Sequence, residues 1–234
     1  MNAGRVLSDP PKNISGQNSA MEHATSASIS AEELARARRV LVRRDPVLAA
    51  IIRRHGECGL RAAREKDIFN GLIQSIISQQ LSTKAAATIY RRFLALLPDQ
   101  GKPAPNHVLR LDDEALRGVG LSRQKMSYLR DLSEKVIDGS LQTELLTTLP
   151  DEEVIEALTR VKGVGRWTAE MILIFRLLRP DILPVGDLGI VKAIQKAYGL
   201  RKAPDAKRML SIAQPWRPYR SVASWYLWRS LDNE

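Results

Sequence analysis

Val161-Lys162-Gly163-Val164-Gly165-Arg166-Trp167-Thr168-Ala169 reads as a tight glycine turn between two helices. Upstream, Pro150-Asp151 opens a helix carrying Val154, Ile155 and Leu158 that must end before Gly163. Downstream, Trp167, Met171, Ile174, Phe175 and Leu178 recur at helical spacing. Gly163 and Gly165 let the chain turn sharply, and Val164 between them can plug the turn into a core. The second helix begins there, so its unpaired N–H groups and partial positive charge face whatever approaches the turn. Lys162 and Arg166 add charge and Thr168 a hydroxyl donor, a set suited to holding a phosphate.

Helical periodicity extends along the rest of the chain. Ser30 with Glu33 marks a capping box, followed by Leu34, Val40 and Leu41. A second helix runs from Pro46 to about Arg54. Ile68, Leu72, Ile73, Ile76 and Ile77 make one apolar face between Asp67 and Gln79. Ser82, Asp112 and Ser122 each precede a further helix as N-caps, and Pro98 to Pro105 reads as a linker. Asp187 begins a helix through Ile190, Val191, Ile194 and Tyr198, and the final helix holds Val222, Trp225, Tyr226 and Trp228. No alternating strand pattern emerges. The expected fold is all-α, roughly ten helices in two subdomains: 68–179 in the centre, with the glycine hairpin at about 151–178, and 30–67 together with 180–234. Residues 1–29, rich in Ser, Asn, Ala, Gly and Pro, read as a disordered tail. Gly118-Val119-Gly120 resembles the main turn but is as well explained by a helix C-cap.

Composition narrows the partners. Among 234 residues, 36 Lys and Arg against 26 Asp and Glu give a formal charge of +10, the usual footprint of a nucleic-acid partner. Cys58 is the single cysteine, which excludes an internal disulfide framework and a four-cysteine metal site. His23, His55 and His107 show no ligand spacing. No run is long and apolar enough for a membrane span. The N-terminus lacks a secretory pattern. The expectation is therefore a monomer in the bacterial cytoplasm, associated with the nucleoid, or in a eukaryotic nucleus.

Taken in order, Ser78-Gln79-Gln80-Leu81-Ser82, Gly120-Leu121-Ser122, the hairpin, Pro184-Val185-Gly186-Asp187 and Pro215-Trp216-Arg217-Pro218-Tyr219 resemble the helix-hairpin-helix superfamily of base-excision DNA glycosylases. The likeness is to its alkylpurine branch, the 3-methyladenine DNA glycosylase II type, and covers about Asp67 to the C-terminus. It implies binding of damaged double-stranded DNA, flipping of the damaged base, and hydrolysis of its bond to deoxyribose. Asp187 then matches the catalytic acid, stabilising an oxocarbenium-like sugar and orienting water; its place at a helix start favours the ionised form. Trp167 and Trp225 match aromatic positions around the base pocket, where a cationic alkylpurine would stack. Gln80 matches the wedge that fills the gap left by the flipped base, with Leu81 and Ser82 beside it. The hairpin residues Lys162, Gly163, Val164, Gly165, Arg166 and Thr168 match its backbone grip. Bifunctional relatives carry a lysine where Trp167 stands, so the resemblance implies base removal without strand cleavage. No catalytic metal or other cofactor is expected, though a monovalent cation on the hairpin carbonyls is allowed. Trp216 and Trp228 are assigned to the core. A non-catalytic lesion-binding protein, or a glycosylase for oxidised or deaminated bases, are the alternatives.

Overall fold

A computed structural model describes residues 29–60 and 67–232, and no strand occurs among them. The helices are α1 (Ala31–Arg44), α2 (Pro46–His55), α3 (Ile68–Ser78), α4 (Thr83–Ala95), α5 (Pro98–Gly101), α6 (Pro105–Arg110), α7 (Asp113–Gly118), α8 (Arg123–Ile137), α9 (Asp151–Thr159), α10 (Arg166–Phe175), α11 (Leu188–Ala197), α12 (Ala206–Ile212) and α13 (Arg220–Arg229). Their starts follow side-chain chemistry. Ser30, Ser82, Asp112 and Ser122 each accept an N–H from the first turn they precede, as their spacing suggests, and Asp45, Asp67, Asp187 and Asp205 do the same.

The structure corrects several expectations. The stretch from Pro98 to Pro105 is not a plain linker: α5 forms inside it and α6 starts at its end, each with a proline in the first turn, where a missing N–H costs nothing. Helix α12 and the 3₁₀ turns Leu145–Thr147 and Gln214–Trp216 were too short to show a periodic apolar face. The proposed tail falls outside the described residues except at its last position. Ile29 is buried, and its N–H donates to the Leu178 carbonyl at 3.0 Å, so it belongs to the fold.

The helices pack in two groups. α3 to α10 pack with one another, notably α6 on α8, α9 on α10, and α3 against α4, α8 and α10. α1, α2, α11 and α13 form the other, with the 214–216 turn against α1 and α12. Asp45 holds the second group together. Its carboxylate caps α2 through the Val47 and Leu48 N–H groups at 2.9 and 3.0 Å. It also accepts the Trp216 indole N–H at 2.7 Å and the Tyr198 hydroxyl at 2.5 Å. The Asp45 contact raises the Tyr198 hydroxyl's pKa further, after burial itself. Trp216 is fully buried, as assigned.

The segment 176–187 joins the groups. Arg179, 1% exposed, donates to the Thr147 and Leu149 carbonyls at 3.0 and 2.8 Å and pins the loop before α9 to the end of α10. Ser221 on α13 donates to the Arg179 carbonyl and accepts the Ile182 N–H, at 2.6 and 2.9 Å. One continuous apolar core runs beneath both groups, from Leu41 and Ile52 through Ile73 and Ile172 to Ile194 and Leu227. The placement of α10 and α11 is therefore fixed from both sides.

Candidate functional site

The hairpin joins α9 to α10. Gly163 has φ +78, a conformation side chains rarely adopt, and the turn closes through Val164 N–H to the Val161 carbonyl at 3.0 Å. A Cβ on Gly163 would lie 2.1 Å from the Tyr128 ring of α8, so that ring packs directly on the turn. Val164 is buried, 4% exposed, and anchors the hairpin in the core. Gly165 is the N-cap of α10 and offers no side chain to its first-turn N–H groups; a Cβ there would meet nothing within 4 Å. The start of α10 thus presents open backbone donors, the requirement for gripping a phosphate.

The charged residues of the hairpin have acidic partners. The Arg166 guanidinium makes a bidentate pair with Glu152 at 2.7 and 2.9 Å, and its Nε donates to Glu170 at 3.2 Å. Glu170 lies almost wholly inside the protein, and burial raises its carboxyl pKa against the pull of Arg166. The Lys162 N–H donates to Asp131 at 2.8 Å, and its ammonium stands 3.4 Å from the same carboxylate while remaining exposed. Thr168 is 5% exposed and contributes to the lining of a cleft beside the hairpin. Arg166 is thus paired with acids on α9 and α10 while its side chain remains exposed.

Asp187 is the N-cap of α11, half-buried, and three donors hold its carboxylate. Oδ1 accepts the Ile190 N–H at 2.8 Å and the Trp228 indole N–H at 2.9 Å; Oδ2 accepts the Trp167 indole N–H at 2.7 Å. Gly189 makes this possible: a Cβ there would lie 3.0 Å from Asp187 Oδ1 and 3.2 Å from Trp228 Cδ1. Trp167, 47% exposed at the first turn of α10, so links the hairpin directly to the carboxylate. The neighbouring Leu188 is 83% exposed, an apolar side chain facing outward beside the acid.

The two tryptophans on α13 have different partners. The Trp225 ring covers Gly59, stands edge-on to Tyr226 at 5.0 Å and carries the Arg229 guanidinium at 5.8 Å. Trp228, assigned to the core, reaches Asp187 and pairs with Phe175 of α10, ring centroids 5.6 Å apart. Residues three apart on a helix lie only about 60° from each other, so helical spacing alone does not separate the two rings; the packing of α2 and α11 on α13 does. Phe175 was read only as part of an apolar face; its 36% exposure marks it as more than core.

Beside these rings a cleft of about 800 Å³ opens between α3, α8 and α10. Trp167, Met171 and Phe175 form one wall, Gly71, Gln74 and Ser75 another, and Gln79, Gln80 and Leu81 the rim. Trp167 stands between this cleft and Asp187, which is not itself part of the lining. Gln80 and Leu81 are exposed in the turn after α3, with Gln80 at φ +58; Ser82 follows as the cap of α4. Among the described residues no cluster of three or more His, Cys, Asp or Glu side chains could hold a metal. The Val161 and Gly163 carbonyls of the hairpin each accept an N–H, at 3.0 Å from Val164 and 2.7 Å from Gln79.

An all-helical fold, a hairpin with open backbone donors, and an aspartate at the next helix start define the class of protein. Residues 73–218 match the family described as HhH-GPD superfamily base excision DNA repair protein, and the chain belongs to that family. A curated relative, DNA-3-methyladenine glycosylase 1 of Schizosaccharomyces pombe, is 37% identical over 171 residues, covering 73% of this chain and 75% of the relative. A putative DNA-3-methyladenine glycosylase of Bacillus subtilis is 33% identical over 190 residues, 79% of this chain and 66% of that one. The solved structure of the S. pombe 3-methyladenine DNA glycosylase in complex with abasic DNA superimposes with a TM-score of 0.75 at 34% identity, covering 83% of this chain and 96% of that one.

Proposed function

We propose that this protein is a monofunctional DNA glycosylase that removes alkylated purines of the 3-methyladenine and 7-methylguanine type from double-stranded DNA, leaving an abasic site. The observation that carries the reading is the Asp187 carboxylate, fixed by Trp167 and Trp228 one residue before α11, next to the phosphate-gripping hairpin. The open N–H groups of α10 hold the backbone of the lesion strand without reading sequence. Gln80 and Leu81 enter the duplex as the base leaves, and the base stacks among Trp167, Phe175 and Trp228. An alkylated purine is cationic, so aromatic faces attract it by roughly 0.5–2 kcal/mol.

Alkylation also makes the base a good leaving group. The bond from C1′ to the purine nitrogen breaks with its electron pair passing to the base, which departs neutral. Positive charge develops on C1′ and the ring oxygen, and the Asp187 carboxylate stabilises it. Water adds to C1′ and gives its proton to Asp187 or to solvent. The hairpin position that would need an amine for strand cleavage holds Trp167, whose indole N–H is donated to Asp187 and cannot form a Schiff base.

Asp187→Asn tests the mechanism, because an amide oxygen still caps α11 while the charge is gone. Chromatography of bases released from methylated DNA should show wild-type release and at least about a 100-fold loss in the variant, the scale of removing a transition-state electrostatic partner. Borohydride should trap no covalent enzyme–DNA complex. Undiminished release by Asp187→Asn would overturn the mechanism. Lesion binding without release by the wild type would make this a non-catalytic binder.

A further inference from the structure

The turn after α3 ends in an unusual way. The last carbonyls of a helix need donors, and a glycine in the left-handed region commonly brings them from the chain itself. Here Gln79 is extended, at φ −52 and ψ 130, and the left-handed position is taken by Gln80, φ +58, which has a side chain to accommodate. The Gln79 and Leu81 N–H groups serve the Ile76 and Ser78 carbonyls at 3.4 and 3.2 Å, and the donors to the Ile77 and Gln79 carbonyls come from α8. The Lys125 ammonium donates to the Ile77 carbonyl and to the Gln79 carbonyl, each at 2.7 Å. The Gln79 side-chain amide then donates to the Gly163 carbonyl at 2.7 Å. A closed path therefore runs from α8 through the 79–81 turn to the hairpin.

We propose that Lys125 is a positioning residue for base extrusion: it locks the Gln80–Leu81 turn in its entering posture and couples that turn, through Gln79, to the phosphate-gripping hairpin. The inference rests on the glycosylase reading above. A wedge that parts two paired bases must resist being pushed back, and an exposed three-residue turn cannot do so alone. Tied to α8 and to Gly163, the turn and the hairpin move as one body. Burial lowers the Lys125 pKa, so its charge is kept in place against a desolvation penalty. A methionine would fill the same space but leave the Ile77 and Gln79 carbonyls without these donors.

The test separates opening of the pair from chemistry. Single-turnover release is measured for one lesion opposite its normal partner base, and for the same lesion opposite an abasic-site analogue, where no pair has to be broken. Lys125→Met should slow release from the paired duplex about ten-fold or more, about 1.4 kcal/mol, and change the unpaired substrate by less than about three-fold. A 2-aminopurine beside the lesion should brighten more slowly, and Lys125→Arg should restore part of the rate. Gln79→Met cuts only the tie to Gly163, should show the same selective loss at smaller amplitude, and keeps the question open to an answer if Lys125→Met folds poorly. Equal losses on both substrates, or no loss on either, in a variant that melts normally would overturn the proposal. Failure of the wild type to release base from either substrate would instead overturn the glycosylase reading.

Discussion

Gly189→Ala should leave the protein about as stable, the helix gain and the weakened bond roughly offsetting, and make it several-fold less active. Gly189 sits in the first turn of α11, where its φ lies outside the left-handed region. Replacing glycine by alanine in a helix ordinarily stabilises by roughly 0.5–1 kcal/mol. The new Cβ, however, would lie 3.0 Å from Asp187 Oδ1, 3.2 Å from Trp228 Cδ1 and 3.4 Å from Trp228 Nε1. Carbon contacts settle at about 3.5–4.0 Å, so the indole must recede by roughly 0.3–0.5 Å. The 2.9 Å bond from Trp228 to Asp187 then stretches beyond the range in which such bonds are strong. A hydrogen bond to a charged group contributes about 1.5–3 kcal/mol. Losing about half of it at the transition state, about 0.75–1.5 kcal/mol, lowers kcat roughly four- to thirteen-fold. The assay is single-turnover base release beside thermal melting, for Gly189→Ala, Trp228→Phe and the double variant. Trp228→Phe removes the donor outright, so alanine at 189 should then add little further loss. Wild-type kcat in Gly189→Ala, or full additivity of the two substitutions, would refute the claim that Gly189 acts by making room for this bond.

Two further outcomes follow from the hairpin. Gly163→Ala forces a side chain to φ +78 and drives its Cβ into the Tyr128 ring. The expected loss is about 3 kcal/mol, or roughly 6–12 °C in Tm, and Gly163→Ala with Tyr128→Ala should lose less than the sum of the single variants in a urea or thermal cycle; strict additivity would mean the ring is not what the methyl meets. Glu170→Gln reports on a carboxyl whose pKa burial has raised. Its contribution favours the fold below the unfolded carboxyl value of about 4.3 and is lost as pH rises through the raised folded value, so the variant should melt above wild type at pH 8 and lose that advantage near pH 4. A lower Tm than wild type at pH 8 would show that the Arg166 pair outweighs the burial.

Much of this protein was legible because its chemistry is tied to the backbone. Ser30, Ser82, Asp112 and Ser122 act within three residues of themselves, so spacing alone finds the helices they start. Gly163 and Val164 are likewise local: one supplies a rare φ, the other an apolar plug. What did not show depends on partners distant in sequence. The pairing of Arg166 with Glu152, 14 positions earlier, leaves no local signal. Trp225 and Trp228 share a helix, and only the packing of α2 and α11 on α13 decides which ring faces Asp187.

Asp187 shows why the local and the distant readings need not compete. Its Oδ1 caps α11 through Ile190, a task any N-cap aspartate performs. Capping fixes the side chain's direction at no further cost in rotamer freedom. Two indoles from α10 and α13 then need only meet an oxygen already in place. A loop aspartate would have to be ordered by those indoles alone, and each would lose part of its binding energy to that ordering. Building the carboxylate on a helix cap therefore lets Trp167 and Trp228 each direct one N–H at an oxygen already in place, and it explains why a residue as small as Gly189 is the position on which the arrangement turns.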